Sequence, residues 1–568
     1  MRLQISKSKG AASFYVIKTV YENGKERTVI VEKLGTEDFL RKALSGKDPY
    51  VWAKEYVEEL NRKEKEDKRE IIVRYATADS IPKSDRRLFN GGYLFLQRIY
   101  HELGIKKICK TISDKYKFTF DLDSVLSRLV YGRLVFPASK LATHELSKRF
   151  IEQPNFELQH IYRALEVIAK ETDFIQSELY GNSLNTVKRN TGILYYDCTN
   201  YFFEIEQENG IKQYGISKEH RPNPIVQMGL FMDSDGLPLA FNINSGNTNE
   251  QITLRPLEKK ILSDFKLSKF IVCTDAGLAS TDNRRFNNAG NRAFVTTQSV
   301  KKLKDFLKEW ALSPKGWRTA GNENVFDIAA IGDEEHSETV FYKERWIKED
   351  GLEQKLIVTY SIKHRDYQRK IRQAQIMRAQ KLIDSRPQNI SKANQNDYKR
   401  LISKIAITPD GEVAETMLYQ IDRAVIEKES AFDGFYGCCT NLDEDVAEII
   451  KINNRRWEIE ESFRIMKSEF KARPVYLSRD DRITAHFTTC FLSLLIFRVL
   501  EKKLKEQFTC REIIDGLREM NFLKVFGEGF VPAYTRTDLT DLLHETFAFR
   551  TDYQIITTTN MKKICKHT

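Results

Sequence analysis

Apolar and polar residues alternate from Ser13 to Lys33 around Glu22-Asn23-Gly24-Lys25, which predicts a β-hairpin turning at Asn-Gly. A charged helical stretch, roughly Glu37 to Lys68, follows. From Asp85 to about Leu184 the apolar positions recur at helical spacing, with few β runs. Within this block Leu122 to Tyr131 and Lys140 to Phe150 read as two short helices, separated by Gly132-Arg133-Leu134-Val135-Phe136-Pro137-Ala138. Ser139 is placed to cap the second. The pair fits a helix-turn-helix that reads DNA, and fits an ordinary helical bundle as well.

The pattern changes at Gly192. Ile193 to Asp197, Pro224 to Met232 and Leu237 to Asn244 read as three strands, the last two joined through Asp233-Ser234-Asp235-Gly236. A helix from about Asn249 to Asp264, a buried strand from Lys269 to Thr274 and a short strand from Ala293 to Thr297 follow. Three antiparallel strands, a helix and another strand is the order of a ribonuclease-H-like core. From about Ser299 to Ala431 that pattern is lost. Val340 to Trp346 and Leu356 to Ser361 look like strands, His364 to Lys381 is a basic helix, and Ser385 to Asn396 is polar, so the region reads as an insertion. The core pattern resumes with Gly434 to Cys439 and a helix from about Asp443 to Phe470, and a last helical block runs from Arg482 to near Phe522.

The predicted fold class is therefore α/β, a ribonuclease-H-like mixed-sheet core with a β-rich insertion behind a mainly helical N-terminal region. The expected domains are 1–80 (hairpin and helix), 81–189 (helical), 190–298 with 432–481 (core), 299–431 (insertion) and 482–568 (C-terminal helical region). At 568 residues several domains are anticipated.

A formal net charge of +11 favours polyanionic partners, spread thinly over 568 residues. The eight cysteines form no C-x-x-C pair, which argues against a zinc site and for a reducing, cytosolic compartment. The N-terminal Met-Arg-Leu-Gln-Ile-Ser-Lys lacks the apolar core of a signal peptide. Phe487 to Leu500 is too short to span a bilayer and carries Arg498, so it reads as a buried helix and no membrane partner is expected.

Two carboxylates, Asp197 and Asp275, are expected at strand ends, where side chains can project into a shared cleft. Each alone also fits a bond to turn amides. In the helix around Arg455 to Lys467, three glutamates compete for a third position. At about 100° per residue, Ile459, Phe463, Met466 and Phe470 form one apolar stripe, with Arg456, Glu460 and Lys467 on its flank. Glu458 and Glu461 are expected on the opposite side, towards solvent. Glu460 is thus the candidate third acid. Three carboxylates suit two Mg²⁺ or Mn²⁺ ions about 3.5–4 Å apart, which activate a water or 3′-hydroxyl and stabilise the leaving oxygen. Arg456 and Lys467 are candidates for holding DNA-end phosphates; a plain Arg456–Glu460 salt bridge is the alternative, worth only about 0.2–0.5 kcal/mol.

Arg456-x3-Glu460-x6-Lys467 resembles the Y-x2-R-x3-E-x6-K signature of a large branch of bacterial insertion-sequence DDE transposases. Trp457, Phe463-Arg464, Arg473-Pro474-Val475-Tyr476 and Ala485-His486 look like the same family's flanking text. So do Tyr196-Asp197-Cys198-Thr199, the Gly215 to Pro222 loop, Gly246-Asn247-Thr248-Asn249-Glu250 and Thr274 to Leu278. One departure stands out: Asn453 occupies the signature's tyrosine position, which is associated with DNA-end contact, and Asn453→Tyr is expected to be tolerated.

The resemblance implies a cut-and-paste transposase of the integrase-like superfamily, with Asp197, Asp275 and Glu460 as catalytic and metal-binding residues. Its implied partners are double-stranded DNA, both terminal inverted repeats and target, and a second copy of the chain in a synaptic dimer, acting in a bacterial cytoplasm. Asn453, Arg456 and Lys467 are its expected DNA contacts, with His220 and Arg221 of the polar loop as further candidates. Trp310, Trp317 and Trp346 of the insertion could include a base-stacking aromatic, with core packing the better reading for any one. The competing functions are a ribonuclease-H-like nuclease or domesticated transposase, and a non-catalytic DNA-binding regulator; the intact acids argue against the regulator.

Overall fold

The computed structural model of the chain describes residues 1–8, 11–22, 25–44, 47–67, 70–73, 76–385, 390, 397–406 and 417–568. The expected Asn23-Gly24 turn and most of the polar 385–396 stretch lie outside these residues. Two compact units form, one from residues 1–85 with 525–528 and one from 86–524 with 529–568.

In the first unit three antiparallel strands, Arg2–Ser8, Ala11–Glu22 and Lys25–Thr36, bury Phe14 and Val16 with Leu40, Ala53 and Val57 of two helices, Glu37–Ala43 and Pro49–Asp67. The sequence predicts one helix here. Pro49, pre-set for a first helical turn, opens a second.

The second unit is built on a ten-stranded sheet. Its strands are β1 (Ile193–Phe202), β2 (Ile225–Asp233), β3 (Pro238–Ser245), β4 (Phe270–Thr274), β5 (Arg292–Gln298), β6 (Trp317–Thr319), β7 (Asn322–Phe326), β8 (Phe341–Glu349), β9 (Leu352–Tyr360) and β10 (Phe435–Thr440). Their spatial order is β7-β6-β8-β9-β10-β5-β4-β1-β2-β3. β1, β2 and β3 are antiparallel neighbours, while β4 runs parallel to both β1 and β5. The sheet is therefore mixed, and the fold α/β. Four of the strands from residues 299–431 join the main sheet, where β9 pairs with β10 and β10 with β5, while Ile402–Ala406 and Met417–Ile421 pair with each other in a small sheet of their own. Leu356 and Val358 on one face of β9 and Ile357 on the other are all buried, so this extension is covered on both sides.

The helices that matter for the site are α1 (Leu122–Val135), α2 (Lys140–Ser147), α3 (Leu254–Asp264), α4 (Ile362–Asp384), α5 (Val446–Asn454), α6 (Trp457–Ser468) and α7 (Asp480–Lys503). α3 covers one sheet face, burying Leu254, Leu257 and Ile261 against Tyr196, Cys198 and Phe231. On the other face α6 and α7 pack on Tyr201, Met228 and Leu230, and the same core takes in the helices of residues 93–186. Within the second unit, the helices of residues 93–186 thus share a core with the sheet, while 81–85 fall in the first unit. α7 is long and apolar enough to cross a membrane, yet 89% of that window is buried inside the protein.

Two helical expectations change. The sequence predicts a connecting turn at Gly132, but α1 continues through it to Val135, buried from Val125 onward. A Cβ at Gly132 would stand 3.0 Å from Thr143 Cγ2, so the glycine lets α2 approach closely instead of ending the helix. α1 is therefore a core helix, and the turn between it and α2 shortens to residues 136–139. Ser139 does cap α2, accepting from the Ala142 amide at 3.2 Å. The continuous helix expected from 443 to 470 breaks at Arg455-Arg456 into α5 and α6. Beyond Phe522, where no pattern predicts structure, the chain adds strands Gly529–Pro532 and Ile556–Thr557 and helices Asp538–Phe547 and Thr558–His567.

Candidate active site

Parity along β1 decides which face Asp197 takes, because successive strand residues point to opposite faces. Tyr195 packs on α5 with Cys273, Val446 and Ile449, and Tyr201 packs on α6 through Met466. Asp197 shares their parity, so its carboxylate faces the α5–α6 side. β4 pairs in parallel with β1 through Ile193–Ile271, Leu194–Val272 and Tyr195–Cys273. Two residues further along, that register sets Asp197 beside Asp275.

Asp197 is not at a strand end, as the sequence predicts, but midway along β1. The run Cys198 to Phe202 is itself apolar enough to continue pairing with β2. The strand that ends is β4, at Thr274, and beyond it one edge of β1 opens into a cleft. There the Asp275 carboxylate caps its own turn by accepting from the Leu278 amide at 3.0 Å.

Burial pushes the Asp197 carboxyl up to about 6; the Lys218 ammonium opposes this and the Asp275 charge adds to it. Lys218 Nζ lies 4.0 Å from Asp197 and 3.4 Å from Glu250, and donates to the Cys198 carbonyl. It arrives on the loop after β1, which lies flat because two glycine backbones meet. A Cβ on Gly215 would be 2.0 Å from the Gly246 carbonyl oxygen. Lys218 and Glu250 lie within the stretches that carry the family resemblance, and neither has a periodic signal that singles it out.

α6 lies over β1 with Ile459, Phe463 and Met466 buried against the sheet, and Phe470 buried just beyond its end. Glu460 is on the cleft side, its side chain 58% exposed, and accepts from Arg456 Nη2 at 3.1 Å. Arg456 Nη1 donates to Thr297 Oγ1 on β5 at 2.8 Å. Thr297 shares a hydrogen bond of 2.7 Å with the Tyr436 hydroxyl of β10, which accepts from Asn453 Nδ2 at 3.0 Å. Asn453 is therefore buried in a polar chain that leads to Glu460, not displayed to a ligand. Thr297 and Tyr436 escaped sequence reasoning because only the sheet register brings them to Arg456.

Glu458 and Glu461 do face away from the cleft, but not into solvent. Glu458 is held by Arg455 at 3.3 Å and Glu461 by Arg464 and Arg498 at 3.0 and 3.2 Å. A polar cavity rich in arginine takes the place of the expected open surface.

Lys467 is also less open than its flank position suggests. Its Nζ meets Glu219 at 3.2 Å and sits 5.5 Å from the Tyr201 ring, with the side chain 14% exposed. Arg473 shares the same Glu219. His220 is exposed with φ 54°, and Arg221 stacks on Phe202 at 4.2 Å. Of the three tryptophans considered, Trp317 is fully buried, Trp310 packs partly buried in the same cluster, and Trp346 is 43% exposed with Lys355 above it.

The oxygen donors suit a hard divalent cation. A buried carboxylate whose pKa is raised beside a second carboxylate is short of positive charge, and Glu460 is open enough to turn towards them. Among the described residues the trio whose ligand atoms come within 4.8 Å of one another is Asp541, His544 and Asp552, so the three cleft acids stand farther apart than that. The distal trio is already committed, its carboxylates to Arg536 and Arg550.

The family described as "Transposase DDE domain" matches residues 202–496, more than half of the chain. The matched span holds Asp275 and Glu460 and begins just after Asp197. No curated protein matches. A cryo-EM structure described as a piggyBac transposase synaptic complex with hairpin DNA is similar at 9% identity and a TM-score of 0.37, over 77% of this chain and 82% of that one.

Proposed function

This chain belongs to the transposase DDE-domain family, and from that premise we propose that Asp197, Asp275 and Glu460 are its catalytic carboxylates. The protein is a DNA transposase, an enzyme that cuts and joins DNA with the help of divalent metal ions. The observation that carries the residue assignment is the β1–β4 register, which sets Asp197 beside Asp275 on the face that α6 covers with Glu460 on its cleft side.

The strand order β3-β2-β1-β4-β5, antiparallel in its first three members and parallel from β1 to β5, supports a ribonuclease-H-like core. Asp197, Asp275 and Glu460 would hold two Mg²⁺ or Mn²⁺ ions, which when bound activate an attacking oxygen and stabilise the leaving one. The chain's own groups do the rest. Arg456, fixed by Thr297, orients the Glu460 carboxylate. Lys218 offsets the charge of Asp197 and is placed to meet a phosphate oxygen at the cleft. The substrates of this reading are terminal inverted repeats and target DNA, engaged by a dimer of the chain in the cytoplasm of a bacterial host.

The test is nicking and strand joining of element-end DNA by the full chain with Mg²⁺, Mn²⁺, Ca²⁺ or EDTA. Cutting with Mg²⁺ or Mn²⁺, binding without efficient cutting in Ca²⁺ and loss of cutting in EDTA are expected, because the looser coordination of Ca²⁺ suits in-line attack poorly. Robust cutting in EDTA would overturn the metal mechanism, and cutting without joining would reduce the assignment to a nuclease.

A further inference from the structure

Burying a cation in protein is costly unless an anion accompanies it. A cavity of about 270 Å³ between α1, α2, the 471–477 segment and α7 gathers Arg133, Lys140, Lys471, Arg473 and His486, and among the described residues no acid lines it. Arg133 is 4% exposed and Lys140 6%. Arg133 Nη1 donates to the carbonyls of Phe470 at 3.0 Å and Lys471 at 3.3 Å and Nη2 to that of Ala138 at 3.4 Å, while Nε has no partner. Lys140 Nζ meets His486 Nδ1 at 3.5 Å. The other ring nitrogen of His486 faces the Ala472 carbonyl at 3.1 Å, so it carries the proton and Nδ1 is the acceptor. Burial and the neighbouring Arg133 push Lys140 down to about 7.

Packing alone does not explain a charge at Lys140. An aliphatic residue at 140 would fill the space without a buried charge, and the cavity opens outward past Leu141 and Tyr476, which are 56% and 68% exposed. It also opens at the N-terminal end of α2, where the helix adds positive potential. The volume admits a phosphate group with several waters, at roughly 30 Å³ for each water. One link connects it to the cleft: Arg473 shares Glu219 with Lys467 of α6.

We propose that this cavity is an oxyanion site, outside the catalytic cleft, that takes one backbone phosphodiester of bound DNA between Lys140 and Arg133. The choice of DNA as the source rests on the transposase reading; the oxyanion chemistry does not.

The experiment uses the full chain in two arms. Thermal melts compare inorganic phosphate with chloride at equal ionic strength, and salt titrations measure binding to duplex DNA. Both are run on wild type, Lys140→Met, Lys140→Arg and Leu141→Glu. Phosphate should raise the wild-type melting temperature above the chloride control, Lys140→Arg should keep that rise, and Lys140→Met should lose it. Lys140→Met should also lower the slope of log affinity against log salt by about one. Leu141→Glu sets a competing carboxylate at an exposed position of the mouth, where folding is not at stake, and should abolish the phosphate effect even if Lys140→Met fails to fold. A phosphate effect with an unchanged DNA slope in Lys140→Met and Leu141→Glu would overturn the phosphodiester assignment in favour of free phosphate. No phosphate effect in wild type would overturn the site altogether. Failure of the transposase reading looks different: wild type would bind no DNA at low salt, whatever phosphate does to its melt.

Discussion

Arg456 and Glu460 face each other across one turn of α6, the guanidinium donating to Oε1 at 3.1 Å while its other terminal nitrogen is tied to Thr297 at 2.8 Å. The pair is more than a surface i,i+4 bridge, because the arginine is mostly buried and its anchor belongs to the sheet. Tyr436 and Asn453 lock that anchor. Tyr436→Phe removes the hydroxyl that joins them and leaves the Asn453 amide short of an acceptor. A stability loss of about 1–3 kcal/mol is expected. Cleavage should fall while end-DNA affinity stays, and more Mg²⁺ should be needed for half-maximal rate. Equal losses in binding and cleavage would mean that Tyr436 is only packing.

The three cleft carboxylates should behave alike and unlike their neighbours on α6. Asp197→Ala, Asp275→Ala and Glu460→Ala are expected to abolish cleavage with DNA binding largely kept. Glu458→Gln and Glu461→Gln should keep cleavage, because those side chains bond to Arg455, Arg464 and Arg498 on the far side. A dead Glu461→Gln beside an active Glu460→Ala would reverse the assignment.

Asn453→Tyr, which restores the residue of the transposase signature, is expected to destabilise. Position 453 is buried against the Tyr436 hydroxyl, and an added ring overpacks it, at about 1–3 kcal/mol. A melt of this variant equal to wild type would show that α5 can shift to admit the ring.

Periodicity alone located the α6 stripe and ranked Glu460 over Glu458 and Glu461, since a helix face depends only on spacing. It also found β1 to β5, whose apolar runs are short and well punctuated. What it missed depends on tertiary partners. That Asp197 lies mid-strand follows from the continued pairing of Cys198 to Phe202 with β2, and the α5–α6 break at Arg455-Arg456 has no Pro or Gly to mark it. Gly132 reads as a breaker until Thr143 is seen against it. The pairing of Lys467 with Glu219 joins residues nearly 250 positions apart, and no local rule could have supplied it.

That pairing changes what Lys467→Ala should do. A free flank lysine would be lost at no cost in stability, with weaker end binding and a shallower salt slope. Here the side chain is 14% exposed, packs on Tyr201 and neutralises Glu219, so Lys467→Ala should lower the melting temperature. A double-mutant cycle with Glu219→Gln is expected to give a coupling of about 0.5–3 kcal/mol. Coupling near zero, with a reduced salt slope for end DNA, would return Lys467 to DNA contact alone.

The buried charge of Lys140 should be visible in the pH dependence of stability. Burial lowers its pKa from 10.5 in the ordinary side chain to about 7. Below about pH 7 the ammonium is present in folded and unfolded chains alike, and the folded state carries the full penalty. Between there and 10.5 the unfolded chain keeps a proton that the folded chain has released, so this group makes stability rise with pH. The groups around it are Arg133 of α1, Lys471 and Arg473 of the following segment, Tyr162 of the neighbouring helix, and His486 and Cys490 of α7. Burial beside Lys140 and Arg133 holds His486 well below its usual value, so it is neutral across the window. Lys140→Met removes the titrating charge and leaves His486 Nδ1 without its donor, a cost that does not vary with pH. The stability of Lys140→Met relative to wild type should therefore be greatest near about pH 6 and shrink towards about pH 9, in phosphate-free buffer. Added phosphate should shrink it at the acidic end as well, by giving the wild-type ammonium its anion. A difference that stays flat with pH would mean that Lys140 is not a buried cation in the folded chain and that the cavity holds no buried ammonium for an oxyanion to neutralise.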